Sequence, residues 1–354
     1  MDSQTKLSSS TTPQHKGNLI DITKQFVWPE EDLARAEDDL NEPLIDLESY
    51  FSGGDRAKTA TEMVRAACVS HGLFQVVNHG VDIELIRAAR DCAVAFFELP
   101  VAEKAKAERK AGSTSGYSSA LAERFTSKLP WKETLTVGFH ERCCGPVEFF
   151  RSSLGTSDEH IGLVFQKYCE AMKELSMIII EILGTSLGVN PSYYKDYFEE
   201  GFSTMRCNFY PPCQKPELTL GTGPHRDTNS ITILHQHHVA GLQVFADTKW
   251  KLVRPRNDAL VIAIGDTFQA FTNNIFKSCL HRAVVNNHQN RLTLAFFVSP
   301  KEDKVIVAPE DLITSEKPRL YPNFMWSDML LFIQNHYRAD GETLHNFCKW
   351  FQST

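Results

Sequence analysis

The sequence predicts an α+β chain with a mainly β core, a double-stranded β-helix or jelly roll, carrying flanking helices. Two observations lead there. Between Arg206 and Val298 short apolar runs recur, among them Ser230 to Leu234, Gly241 to Phe245, Ala259 to Ile264 and Leu292 to Val298, separated by Gly, Pro and Asn turns. That is the spacing of strands in a two-sheet roll. Before and after this block the apolar residues fall instead at the three-and-four spacing of helices.

Taken in order, the first sixteen residues are polar, rich in Ser, Thr and Gln, and lack the charged start and apolar run of a signal peptide, so residues 1–18 are expected to form a disordered tail. Residues 19–200 are expected to be a helical region with opening strands. Met63, Val64, Ala67 and Cys68 fall on one helix face, Gly72 is placed to stop that helix, and Leu73 to Val77 reads as a buried strand. Leu85, Ile86, Ala89, Cys92, Ala93, Phe96 and Phe97 form a second stripe, ended by Pro100. Gly112 to Ser119 reads as a mobile loop. A long helix is expected from about Ile161 to Leu187, with Tyr168, Met172, Leu175, Ile179, Ile182 and Leu183 facing a core. Residues 201–301 are the roll itself. Residues 302–354 return to helix, over Trp326 to Tyr337 and Gly341 to Phe351, packing on the outside.

At 354 residues and 40.0 kDa the chain is long enough to bury a large core. A net charge of -7 and a pI near 6.0 argue against nucleic acid or an anionic membrane as partner. The densest apolar stretch, Met177 to Ile180, is broken by Glu181, so no membrane span is expected. Nine cysteines, without C-x-x-C spacing, read as reduced thiols of a cytoplasmic protein, the nucleus being a second compartment open to it. Cys143 and Cys144 are adjacent, which disfavours a bridge between them. A monomer is expected.

The chemistry is concentrated in His225-Arg226-Asp227 and a distant His281. Residues two apart on a strand point the same way, so His225 and Asp227 can present two ligands together while His281 arrives from another strand. Two imidazoles and one carboxylate hold non-haem Fe(II) on one face and leave the other open. The pattern H-x-D…H is weak by itself. Ten positions after His281, however, Arg291 and Thr293 lie two apart in an apolar strand, and Asn208 and Tyr210 repeat that spacing upstream. A buried arginine requires an anion, and its planar fork suits a carboxylate.

Other groups compete for attention. His71 and His79 bracket a strand, and helix-end or turn histidines with hydrogen-bonded rings are the expected reading. His235, His237 and His238 are dense enough for a second metal but fall between two expected strands, as a polar turn would. Asp266 is expected to be a turn aspartate bonding backbone N–H groups.

Asn208-Phe209-Tyr210-Pro211-Pro212, His225-x-Asp227, His281-Arg282-Ala283 and Arg291-x-Thr293, in this order, resemble the plant 2-oxoglutarate- and Fe(II)-dependent dioxygenases. Pro43 to Leu47 and His71 to Val81 are similar to that family's first strand and helix-to-strand module. More narrowly, Leu129-Pro130-Trp131-Lys132-Glu133-Thr134-Leu135, Leu220 to His225 and Lys277 to Asn286 resemble the gibberellin 20-oxidases. The likeness spans roughly residues 20 to 352.

The resemblance implies that His225, Asp227 and His281 ligate Fe(II). It implies that Arg291, Thr293 and Tyr210 hold the distal carboxylate of 2-oxoglutarate while Asn208 orients its iron-side end. Oxygen would take the last iron position, ascorbate would support activity, and no catalytic residue beyond the iron centre is implied. The substrate would be a gibberellin, a diterpenoid whose carbon-20 is oxidised in steps and lost. Trp131, Lys132, Glu133 and Thr134 would face it, Trp131 as an apolar wall and Lys132 paired with a carboxylate. Several positions depart from the pattern: Thr293 stands for the usual serine and Arg226 for a common cysteine, its side chain expected to point away from iron toward solvent, and Thr228, Asn229, His237 and Ala240 also differ. A sister oxygenase acting on another gibberellin position or a flavonoid-type metabolite, and a non-catalytic binding protein on the same scaffold, stay open as readings.

Overall fold

The computed structural model describes residues 24–110, 112–120, 128–155, 159–336 and 342–353. The tail expected over residues 1–18, Tyr337 and Gly341 lie outside them. The strands are β1 (Asp38–Asp39), β2 (Leu44–Asp46), β3 (Leu73–Val77), β4 (Gly116–Ser119), β5 (Glu133–Phe139), β6 (Ser203–Tyr210), β7 (Thr222–His225), β8 (Ile231–His235), β9 (Leu242–Ala246), β10 (Lys249–Leu252), β11 (Leu260–Ile264), β12 (His281–Ala283), β13 (Arg291–Val298), β14 (Val305–Ile306) and β15 (Phe324–Met325). The helices are α1 (Leu47–Phe51), α2 (Gly54–Ser70), α3 (Ile83–Glu98), α4 (Val101–Lys106), α5 (Pro146–Ser153), α6 (Glu159–Leu187), α7 (Pro191–Phe198), α8 (Asp266–Phe271), α9 (Trp326–His336) and α10 (Thr343–Ser353).

Two sheets form the roll. The larger runs β2-β3-β11-β8-β13-β6-β5-β4 and the smaller β1-β10-β9-β12-β7. Leu73, Val261 and Ala263 of the larger sheet share an apolar cluster with Leu242, Val244 and Ala246 of the smaller, so these inner faces are packed together. Four of the larger sheet's strands, β2 to β5, precede residue 201.

Strand alternation divides β13 between two environments. Leu294, Phe296 and Val298 join the main core under the helices. The intervening Arg291, Thr293, Ala295 and Phe297 face the interior of the roll. Helix α6, 29 residues long, lies across the outer face and buries Phe165, Tyr168, Met172, Leu175, Ile179, Ile182 and Leu183. It packs against α2, α3, β8 and β13. The helical stripe read from sequence is therefore the packing stripe, and it backs the strand that carries Arg291 and Thr293.

Helix α2 stops at Ser70, and Gly72 follows at φ 75°, where an added Cβ would lie 2.0 Å from the Lys277 carbonyl oxygen. Gly112 to Ser119 is corrected: its second half is β4, hydrogen-bonded to β5 with Ser118 opposite Thr134. The segment Gly-Tyr-Ser-Ser has only one large apolar side chain, Tyr117, so no alternation betrays it as an edge strand. All nine cysteines are free thiols, and the Sγ atoms of Cys143 and Cys144 stand 3.7 Å apart.

Candidate active site

His225 ends β7 and His281 opens β12, and the antiparallel register sets the two directly opposite each other. Their ring centroids are 4.2 Å apart. Asp227 follows in the turn, with Oδ1 3.6 Å from His225 Nε2 and Oδ2 3.9 Å from His281 Nε2. The ligand atoms of the three side chains lie within 4.8 Å of one another. Among the described residues this is the group of His, Cys, Asp and Glu that converges as a metal site.

The far nitrogen of each imidazole fixes its tautomer. His225 Nδ1 is 2.9 Å from the Gly223 carbonyl oxygen and His281 Nδ1 is 3.0 Å from that of Cys279. A carbonyl accepts only, so each Nδ1 carries the proton and each bare Nε2 faces the carboxylate. Thr232 donates to Asp227 Oδ2 at 2.6 Å. Burial and the neighbouring imidazole push His225 down to about 3, so its ring is neutral at physiological pH. Burial alone would raise Asp227; the carboxyl is nevertheless held below its ordinary value, with the Thr232 hydroxyl donating to it. An ionised carboxylate between imidazole lone pairs fits a divalent iron.

A single ladder assembles the neighbouring subsite. In the pairing of β13 with β6, Arg291 stands opposite Tyr210 and Thr293 opposite Asn208. Asn208 Nδ2 donates to Thr293 Oγ1 at 3.3 Å, and the Arg291 guanidinium lies 5.0 Å from the Tyr210 ring centroid. Arg291 is 2% exposed, donating to the Val239 carbonyl at 3.2 Å and the Gln236 amide oxygen at 3.4 Å. Both acceptors are neutral, and among the described residues no carboxylate pairs with it. A buried, uncompensated guanidinium fits the distal carboxylate of 2-oxoglutarate. The guanidinium passes so close to the backbone of Gly241 that a Cβ there would meet Arg291 Nε at 2.7 Å.

The run Leu129 to Leu135 divides by face. Lys132 is 5% exposed and donates to Asn208 Oδ1 at 3.1 Å and Thr222 Oγ1 at 3.0 Å. It thus stands beside the co-substrate residues, and burial, with Arg206 nearby, lowers its ammonium to about 7. Thr134 is buried opposite Asn208 on the same inward row. Trp131 packs edge-on against Phe26 at 5.1 Å in an apolar cluster that also holds Tyr210, and its Nε1 donates to the Pro211 carbonyl at 3.1 Å. Glu133 is a correction. Strand alternation turns it to the helix side, where its Oε2 accepts from Lys104 Nζ at 2.6 Å and from the Tyr117 hydroxyl at 2.6 Å, away from the iron ligands.

The competing histidines do other work. His71 caps α2 and His79 Nδ1 accepts from the Val81 N–H at 3.2 Å. His237 Nε2 lies 2.7 Å from Arg90 Nη1, tying the 236–238 turn to α3. Asp266 is a second correction: it opens α8 rather than sitting in a turn, and it is fully buried. Burial raises it to about 7 despite Ser278 and Arg226 nearby. Arg226 turns away from the ligand face as expected, part-exposed along an open pocket lined also by Asp266 and Ser278.

Sequence reasoning missed Thr232, Thr222, Gly241 and Arg206. Thr232 could have been found, since it is the inward position of its strand one turn after Asp227. Arg206, whose Nε donates to Thr136 Oγ1 at 3.1 Å, lies two before Asn208 and so shares its face.

A metal face closed on one side by this roll, next to a pocket that calls for a dianionic keto acid, defines a non-haem Fe(II) oxygenase. Comparison with known proteins agrees. Residues 201–300 match the 2OG-Fe(II) oxygenase superfamily, and residues 43–150 match the family described as non-haem dioxygenase in morphine synthesis N-terminal. Gibberellin 20 oxidase 2 of Arabidopsis thaliana is 50% identical over 93% of this chain and 87% of its own length. Gibberellin 20 oxidase 2 of Oryza sativa subsp. indica is 51% identical over 93% and 85%. The solved structure of JOX2 in complex with 2OG, Fe and JA superposes with a TM-score of 0.83 at 31% identity, covering 94% of this chain and 95% of that one. The chain belongs to the gibberellin 20-oxidase family within the 2OG-Fe(II) oxygenases.

The chemistry therefore assigns itself to parts. When bound, iron and 2-oxoglutarate supply oxidative decarboxylation of the keto acid coupled to oxidation of a substrate C–H bond. In this chain His225, Asp227 and His281 would provide one face of ligands, Arg291 with Tyr210 and Thr293 would anchor the distal carboxylate, and Asn208 would orient the near end.

Proposed function

We propose that this protein is a gibberellin 20-oxidase. It takes a twenty-carbon gibberellin, oxidises carbon-20 from methyl to alcohol to aldehyde in successive turnovers, and removes it to give a nineteen-carbon lactone. Each turnover consumes one O2 and one 2-oxoglutarate and releases succinate and CO2, with ascorbate supporting activity. The observation that carries the reading is Lys132. It comes from the run most like the gibberellin 20-oxidases, and its ammonium sits inside the roll, hydrogen-bonded to Asn208 and Thr222. A cation buried there suits a hydrophobic acid whose carboxylate approaches while its ring system fills apolar space. The nine free thiols support a cytoplasmic enzyme, which we take to act as a monomer; among the described residues no helix is long and apolar enough to cross a membrane.

The test is product analysis with a twenty-carbon gibberellin, Fe(II) and 2-oxoglutarate. The expected result is ordered accumulation of the carbon-20 alcohol, aldehyde and nineteen-carbon product, with succinate. Oxidation at another ring position would assign the chain to a sister activity, and no oxidation would reject the reading.

A further inference from the structure

We propose that Arg226 is a positioning residue for the metal, tying together from behind the two segments that carry the three ligands. It stands between His225 and Asp227, but alternation sends its side chain to the opposite face. There its guanidinium donates to the backbone carbonyl of Ser278, three residues before His281. A direct side-chain tie thus joins the segment of the first two ligands to the segment of the third.

The ladder between these segments needs such a tie. β7 and β12 pair at His225 and His281, but the register shifts between His281 and Ala283, so the regular hydrogen bonding that would fix the two strands is interrupted beside the ligands. Behind them lies a cavity of about 480 Å³, lined by Arg226, Asp266, Gln269, Ser278, Tyr321 and Cys348 among others. Packing alone therefore does not hold the ligand segments from that side.

Asp266 connects the same group to the metal face. Its backbone N–H donates to the Asp227 carbonyl at 2.8 Å, and its buried carboxyl lines the same cavity as Arg226. Arg226 is suited to this task because it is planar, always charged and presents several donors in different directions.

The experiment uses the full chain, purified without metal and kept anaerobic, in wild-type, Arg226→Met and Arg226→Lys forms. Two quantities are read: the Fe(II) dissociation constant and the thermal midpoint of the metal-free protein. Arg226→Met is expected to weaken Fe(II) binding by about 10- to 100-fold, the range for groups that orient metal ligands. Arg226→Lys, keeping charge and a donor, is expected to recover part of the loss. The metal-free midpoints are expected to agree within about 2 °C. Fe(II) affinity of Arg226→Met within about twofold of wild type would overturn the proposal, whether or not the midpoint falls. If that variant does not fold, Arg226→Gln is measured in the same way and the same two results decide.

Discussion

His225 and His281 face each other across paired antiparallel strands, each with Nδ1 on the carbonyl two residues before it, Gly223 for one and Cys279 for the other. Two ligands 56 positions apart in sequence are thus oriented by the same local device, and the bare nitrogens of both are turned to one carboxylate. The carboxylate is fixed in turn by Thr232.

Removing that last bond isolates its contribution. Thr232→Val keeps the shape of the side chain and deletes the donor to Asp227 Oδ2. The Fe(II) dissociation constant should rise by about tenfold or more, with the co-substrate KM at saturating iron changed far less. Anaerobic titration of the two proteins measures it.

Gly241 gives the reverse separation. A methyl group there would meet Arg291 Nε at 2.7 Å and its Cδ at 2.9 Å. Gly241→Ala should therefore displace the guanidinium and raise the KM for 2-oxoglutarate by about tenfold, equivalent to about 1.4 kcal/mol, while leaving Fe(II) affinity near wild type. Steady-state kinetics against 2-oxoglutarate, with parallel metal titration, decide this.

Lys132 trades stability for function. Its folded pKa, about 7, lies below the ordinary lysine value of 10.5, so the unfolded chain binds the extra proton between those limits. The burial penalty is fully present below about 7 and disappears as pH rises toward 10.5. Lys132→Met should raise the thermal midpoint of the metal-free protein at neutral pH and flatten its rise with pH across that window, yet lower kcat/KM for gibberellin. In the wild type, kcat/KM should fall as pH rises through about 7 and the ammonium discharges. Melting curves and pH profiles of both proteins test the pair of effects together.

Glu133 has a structural consequence instead. Glu133→Ala leaves Lys104, 4% exposed, as an uncompensated buried cation. The loss should be about 3–5 kcal/mol, seen in denaturant unfolding. Lys104→Met combined with Glu133→Leu should recover much of it, because neither buried charge is then left alone.

How far the sequence foretold this depends on the range of the interaction. Period-two spacing places Asn208 with Tyr210 and Arg291 with Thr293, and the register of β13 on β6 then brings the two pairs together. The alternation was readable; the register was not, since it is set by the helices packed behind Leu294 and Phe296. The same alternation across Lys132-Glu133-Thr134 sends Glu133 to the other face, but its partners Lys104 and Tyr117 lie on elements that no local pattern links to it. The short polar sequence of β4 has no period to detect. Nothing near Arg226 in sequence announces the pocket that residues of α8 and α10 line beside it.

His225, Asp227 and His281 are expected to hold Fe(II) with a face open to 2-oxoglutarate anchored on Arg291, and anaerobic titration of Fe(II)-loaded protein with 2-oxoglutarate reads both at once. A metal-to-ligand charge-transfer absorption should saturate with one equivalent of 2-oxoglutarate, disappear in Asp227→Ala for want of bound iron, and in Arg291→Met require far higher 2-oxoglutarate. No such band in the wild type, or an unchanged titration in Arg291→Met, would refute this arrangement.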